Sequence, residues 1–335
     1  MLKLFLYAFF IAFITLLVVI YFTHKYHLFI DNNEEDKPQN FHTNSTPRAG
    51  GIGILFGLVP LAFIPLGLEF IPSILFAFLS GIFEDFHNSL SPKLRLLLQF
   101  IAAFMGVWLT DAVVTYLGVG ITLPYWLGAF FTLFAIVGMM NAINIIDGFN
   151  GLASGVILFI LISFAVISYE QNNHDIFSMV TVVFGATFGF FILNFPKGKI
   201  FLGDGGAYML GFIVAMIGIF LASKYESVSP WYVLAIFIYP VWEVLFSIIR
   251  KLSIGLSPMQ PDSYHLHMLI YRQITKNNPL TSVFIWVSIL PSMLLSTYYA
   301  NSSIYNIFIA FGFICCYLIL YYYLYKKDTQ HSKNL

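Results

Sequence analysis

Long apolar runs broken by short polar segments make up most of the chain. A helix of roughly 17 to 25 apolar residues matches the hydrocarbon thickness of a bilayer. On that length the pattern predicts spans near 2–22, 50–68, 69–84, 94–110, 125–143, 151–169, 175–194, 206–223, 230–248, 279–298 and 304–325. The expected fold is all-α, a polytopic membrane protein with about 11 transmembrane helices, or 10 if the very short connection at Gly67-Leu68-Glu69 does not separate two of them. Residues 1–325 read as one integral-membrane domain and 326–335 as a short polar tail, with no internal repeat. The first run, Leu2 to Phe22, has only Lys3 ahead of it and no small-residue cleavage pattern behind it, so it is expected to be an uncleaved span.

Composition narrows the class. With 59% hydrophobic and only 10% charged residues, including 37 Phe and 20 Tyr, the chain has too little polar surface for a soluble domain. A formal net charge of zero removes the argument for a nucleic-acid partner from bulk basicity. Cys315 and Cys316 are adjacent within an apolar run, which suits neither an ordinary disulfide nor a metal-ligand spacing.

Charge also orients the chain, because Lys and Arg gather in cytoplasmic loops. With the N-terminus outside and the C-terminus cytoplasmic, 14 of the 16 Lys and Arg fall on the inner side, leaving only Lys3 and Lys224 outside. Five polar segments then share that face: "NSTPRAGG" (44–51), "GIFEDFHNSLSPKLRLLLQ" (81–99), "NAINIIDGFNGLASG" (141–155), "NFPKGKIFLGDGGAYMLG" (194–211) and "SPMQPDSYHLHMLIYRQ" (257–273). The outer loops carry no comparable grouping. A cytoplasmic active site at the membrane surface would produce this one-sided enrichment.

Glu84 and Asp85 stand where a span ends, as an acid placed at the interface would. Asp147 and Asp204 also stand at span ends on that face, each followed by glycine, in "DGFNG" and "GDGG". Glycine beside a carboxylate lets backbone N–H groups approach a phosphate, and helices starting near Leu152 and Ala207 would turn positive dipole ends toward an anion. Several carboxylates on one face suggest a hard divalent cation such as Mg²⁺, which takes a few carboxylates together with substrate phosphates and water. Lys197 and Lys199 precede Asp204 closely, and His265, His267 and Arg272 lie in the longest inner loop. Lysines at a membrane surface commonly meet anionic lipid, and His-x-His does not have the spacing of a helical zinc site; phosphate contact is the better expectation for the histidines.

At these residues the chain resembles the polyprenyl-phosphate N-acetylhexosamine-1-phosphate transferases. The resemblance runs from about Thr46 to Arg272, through "TPRAGG", "EDFHNSLSPKLRLLLQ", "NAINIIDGFNGLA", "FPKGKIFLGDGGAYMLG" and "PDSYHLHMLIYR", in family order. It implies transfer of an N-acetylhexosamine-1-phosphate, GlcNAc-1-phosphate in the first place, from a UDP-sugar to undecaprenyl phosphate with release of UMP. This would initiate a bacterial cell-surface polysaccharide at the inner membrane. The implied cofactor is Mg²⁺, with Mn²⁺ as an alternative. The implied partners are undecaprenyl phosphate, a UDP-N-acetylhexosamine and membrane lipid, with a homodimer left open.

The resemblance also assigns roles. Asp204, Asp147 and Asp85 match metal positions, and Glu84, Asp85 and Asp147 catalytic ones. Lys93, Asn141, Asn144, Asn150, Lys197, Lys199, His265, His267 and Arg272 match substrate-binding positions. Three places depart from the usual pattern: Glu84 for the first Asp of the acidic pair, Asn150 for a second Asp in "DGFNG", and Met268 where a further histidine is common. The rival from another class is a transporter of a phosphorylated or lipid-linked solute. Such folds tend to bind at the membrane midplane between repeated halves, which this pattern lacks. Within the family, UDP-MurNAc-pentapeptide or another UDP-N-acetylhexosamine is the rival donor.

Overall fold

A computed structural model of the chain describes residues 1–26, 46–87, 91–257, 260 and 262–333. Lys37 and the start of "NSTPRAGG" lie outside the described residues. The described residues form α1 (Leu2–Tyr26), α2 (Gly50–Gly57), a 3-10 turn (Val59–Phe63), α3 (Pro65–His87), α4 (Pro92–Thr110), α5 (Tyr125–Ile146), α6 (Leu152–Glu170) and α7 (His174–Asn194). There follow α8 (Gly203–Lys224), α9 (Pro230–Ile236), α10 (Ile238–Ser253), α11 (Leu266–Ile270), a π turn (Tyr271–Thr275), α12 (Asn278–Tyr298) and α13 (Ser303–Lys333). The only β pairing among them is two isolated bridges, Arg48 with Phe201 and Tyr116 with Thr122.

Several starts follow from local chemistry. Ser91, Ser229 and Asn277 each cap a helix by accepting a backbone N–H. Each of these helices carries Pro in its first turn, where the missing N–H costs nothing.

Nine of the described helices are long and apolar enough to cross a membrane, or ten if α9 and α10, bent by 76°, count as one. The expected span at 50–68 is shorter than the sequence pattern implied: its helical part is Gly50–Phe63, and α3 already begins at Pro65. Pro60 and Pro65 explain this, since proline breaks the run of backbone hydrogen bonds and starts helices more readily than it continues them.

Gly53 packs on Leu16 and Gly57 on Ala12, so α2 is antiparallel to α1, and α3 returns its acidic end beside Asp204. Met1 and Asp328 lie at opposite ends of the bundle. Met1 meets Ser178 near the start of α7, whereas Asp328 of α13 pairs with Arg272 beside the histidine segment.

Burial is graded from centre to rim. The apolar stretch of α8 is 89% buried, against 17% for α1 and 22% for α13, which turn Phe, Tyr, Leu and Ile outward. An apolar perimeter around a buried central helix suits lipid as the surrounding medium. The expected polar tail is part of α13, which continues to Lys333.

Candidate active site

The start of α8 is the point on which the site is built. Gly203 has φ +76°, a turn that favours glycine, and a Cβ there would come 2.7 Å from Asp85 Oδ2. Gly81 lets α3 lie directly on the α8 backbone, since a Cβ on it would run into the carbonyl carbon of Asp204. "TPRAGG" docks on the same turn: Phe201 donates to Pro47 O, while Gly50 and Gly51 donate to Phe201 O and Leu202 O. Two of the sequence segments thus meet in backbone hydrogen bonds.

The carboxylates divide the work. Asp85, at the end of α3, accepts from the backbone N–H of Asp204 at 2.8 Å and of Gly205 at 2.9 Å. It therefore caps α8 where the helix leaves donors unsatisfied, and its assignment as a metal ligand competes with that use. Asp204 faces the open end of the bundle. Its Oδ1 accepts from Asn144 Nδ2 at 3.0 Å and its Oδ2 from Arg95 at 3.2 Å. Arg95 also lies 3.8 Å from Glu84, whose other oxygen, Oε2, is buried without a hydrogen-bond partner. Asp147 follows the last turn of α5. Burial, reinforced by the charge of Asp204 and opposed by Arg48, raises its pKa to about 7.

Among the described residues no three His, Cys, Asp or Glu side chains form a ready metal cage. Mg²⁺ does not require one, because it is commonly held by one or two carboxylates with phosphate oxygens and water. Asp204 and Asp147 suit that mode. They are oxygen donors at the ends of two neighbouring helices, and the charge of Asp204, which adds to the burial that raises Asp147, is a repulsion a divalent cation would relieve.

The other expected residues separate into exposed and committed groups. Lys93, Lys197 and Lys199 are exposed. Asn141 ties α5 to α4 through Gln99 Oε1 at 2.8 Å. Asn150 is 7% exposed and locks a loop. Its N–H donates to Asn278 Oδ1 at 2.8 Å, its Nδ2 to Pro196 O at 3.0 Å, and its carbonyl accepts from Ser282. Arg272 is turned away from the carboxylates, paired with Asp328 through Nε at 3.1 Å and Nη2 at 2.9 Å.

The histidines are buried in a network of their own. His265 Nδ1 lies 3.0 Å from Glu243 Oε1, and His267 Nδ1 lies 3.2 Å from the Tyr239 hydroxyl. His267 Nε2 is buried without a partner. A Cβ built on Gly148 would lie 3.6 Å from it, so this nitrogen faces the Asp147–Gly148 turn, with Phe149 edge-on to the ring. Burial lowers the pKa of His267 to about 4, with His265 adding to the shift and Glu243 opposing it; the ring is neutral at ordinary pH.

Sequence reasoning missed three of these functions. Arg95 stood only among the inward charges, although the "ED…R" spacing over one helical hairpin carries a signal for an ion pair. Glu243 lies inside an apolar run, where a lone acid is itself the signal. Asp328 lay in the presumed tail.

The Glycosyl transferase family 4 model matches residues 68–222. That range carries Glu84, Asp85, Arg95, Asn144, Asp147 and Asp204. The chain is 32% identical over 228 residues to the phospho-N-acetylmuramoyl-pentapeptide-transferase of Streptococcus sanguinis, covering 61% of this chain and 68% of that protein. It is 29% identical over 280 residues, 78% of this chain and 75% of the relative, to the "Probable undecaprenyl-phosphate N-acetylglucosaminyl 1-phosphate transferase" of Bacillus subtilis. It is also 29% identical over 239 residues to the pentapeptide-transferase of Streptococcus agalactiae, 67% of each chain. The matched range and the convergence at the start of α8 coincide, and the chain belongs to the polyprenyl-phosphate N-acetylhexosamine-1-phosphate transferase family.

Proposed function

We propose that this protein transfers an N-acetylhexosamine-1-phosphate, with UDP-GlcNAc as donor, to undecaprenyl phosphate and releases UMP. In this reading it performs the first step of a bacterial surface polysaccharide, in the inner membrane and with its site on the cytoplasmic face. The observation that carries it is the convergence of three helices on Asp204, through Asp85 of α3, Arg95 of α4 and Asn144 of α5. Such a helix end, open to water and set in an apolar bundle, can receive a soluble nucleotide sugar and a lipid phosphate together. The 14 of 16 Lys and Arg placed on this face by the sequence support the orientation, and the placement of Met1 and Asp328 at opposite ends of the bundle fits an odd number of passes. Eleven passes follow in this reading if the bent pair α9–α10 is one span and the short Gly50–Phe63 segment also crosses.

The reaction forms a bond between a lipid phosphate oxygen and the sugar-proximal phosphorus, and breaks that phosphorus's bond to the oxygen leaving with UMP. Both reactants are anions, so the protein's task is to bring them together in line and offset their charge. Mg²⁺, held by Asp204 and Asp147, would neutralise phosphate oxygens. Lys93, Lys197 and Lys199 raise the local concentration of anions at the mouth of the site. Arg95 keeps the Glu84 and Asp204 carboxylates from repelling one another, and Asp85 fixes the backbone on which Asp204 stands. His267 turns one uncommitted ring nitrogen toward the turn that begins with Asp147.

The test is UMP release by the purified protein in detergent with undecaprenyl phosphate, Mg²⁺ and a panel of UDP-N-acetylhexosamines. UMP formed with UDP-GlcNAc and requiring both lipid and metal is the expected result. UMP formed only with UDP-MurNAc-pentapeptide would support the second reading, which the streptococcal relatives favour. No UMP from any donor, in folded protein, would overturn both.

A further inference from the structure

Glu243 lies in α10, 1% exposed, and every part of its carboxylate is engaged. Oε1 accepts from His265 Nδ1 and from the backbone N–H of Leu266, each at 3.0 Å, and Oε2 accepts from the Tyr317 hydroxyl at 3.0 Å. Burying a carboxylate is costly, and one that merely joined helices could be replaced by apolar packing without loss. Here it holds the histidine ring and the first turn of α11, which fixes where the histidine segment begins.

The far end of the same segment is held from α13. Asp328 receives Arg272 through two nitrogens and Gln273 Nε2 at 2.7 Å, and at the near end the Tyr321 hydroxyl, also on α13, adds a bond to Tyr264 O at 3.1 Å. Paired, planar contacts of this kind fix orientation as well as distance. Between the two clamps lies His267, 0% exposed, with Nε2 unpartnered and turned to the Asp147–Gly148 turn. A buried ring nitrogen without a partner calls for one, and a ligand at that turn would supply it; with the Tyr239 hydroxyl donating to Nδ1, Nε2 carries the proton that a phosphate oxygen accepts.

We infer that Glu243 and Asp328 are positioning residues, which clamp residues 264–273 between α10 and α13 so that His267 Nε2 is presented to the donor's diphosphate at the Asp147–Gly148 turn. The identity of that ligand rests on the reading under Proposed function; the clamp does not. It also gives α13 a task beyond crossing the membrane.

The experiment uses the full chain in detergent, with Glu243→Ala, Glu243→Gln, Asp328→Ala, Arg272→Asp, and Arg272→Asp combined with Asp328→Arg. Amide hydrogen exchange and steady-state kinetics are both measured. Glu243→Ala and Asp328→Ala should raise exchange within 262–275 and lower kcat by about 100-fold, the scale of a small misplacement, with KM for undecaprenyl phosphate unchanged. Glu243→Gln, whose amide oxygen can still accept from His265, should recover most of that loss. The double variant should outperform Arg272→Asp alone in both readouts.

Unchanged exchange in 262–275, exchange raised throughout the long helices, or absence of rescue would overturn the clamp. If wild-type protein releases UMP from no donor, the transfer reading fails. Exchange in the segment and its restoration in the double variant still decide the clamp.

Discussion

The two halves of the site are held in different ways. The acidic half, at the start of α8, is fixed by backbone: two main-chain N–H groups on Asp85, two glycines packed against the turn, and main-chain hydrogen bonds from residues 47–51. The histidine half is fixed by side chains that reach it from α10 and α13. Backbone-held geometry tolerates little change, because each contact also belongs to a helix end that must be satisfied. Side-chain clamps can be weakened one at a time. The acidic half should therefore fail abruptly under substitution and the histidine half by degrees.

The largest effect is expected at Asp204. Asp204→Asn removes the charge on which Arg95 and Asn144 converge, and kcat for UMP release should fall by about 1000-fold or more, as for loss of a central electrostatic group. The midpoint of thermal unfolding should hardly move, since the side chain is partly exposed and the fold does not hang on it. A variant keeping a tenth of wild-type turnover would remove Asp204 from the centre of the proposal.

Asp85 should show the other behaviour. Asp85→Ala leaves two N–H groups at the start of α8 without their acceptor, a loss of about 2 kcal/mol in unfolding free energy on the scale of helix caps, with activity falling alongside. Asp85→Asn keeps one acceptor oxygen and should lie between. Activity lost without any loss of stability would mean that Asp85 serves substrate rather than the helix.

A smaller effect, about 1 to 2 kcal/mol, is expected of Asn150→Asp. The family pattern suggests that this change restores a missing acid. The structure argues the reverse, because Asn150 Nδ2 donates to Pro196 O and a carboxylate would set acceptor against acceptor. Denaturant unfolding and UMP release, read together, separate the two views: a gain in turnover without loss of stability would favour the pattern over the contact.

That disagreement shows where the sequence was legible. The helical membrane fold could be read because apolar runs of sufficient length have few other solutions, and the acidic segments because each interrupts such a run at its end. Hydropathy did not distinguish an apolar run from a continuous helix, so Pro60 and Pro65 shortened one expected span and the break at Phe237 bent another. Roles that depend on distant partners were hidden. Arg272 has the composition of a phosphate ligand, but Asp328, 56 residues away, claims it. Glu243 has its partners at His265, Leu266 and Tyr317, none within its own helix.

The finest contrast between the halves is in pH, and it concerns metal-free protein. His267 has a folded pKa of about 4 against an ordinary 6.5, so the folded state binds fewer protons between those values. Its contribution to stability is complete above about 6.5 and is lost as pH falls toward 4. Asp147 acts with the opposite sign. Raised from 3.8 to about 7, it makes the folded state the better proton binder, so its contribution is greatest at low pH and declines as pH rises through 7. In wild-type protein the two partly cancel between pH 4 and 6.5, and a single melting profile would show little. The variants separate them. Relative to wild type, His267→Gln should gain stability as pH falls from 6.5 to 4, and Asp147→Asn should gain it as pH rises from 4 to 7. Parallel profiles for His267→Gln and wild type would mean that the imidazole is not buried as a neutral ring, and that the nitrogen facing Gly148 is open to water.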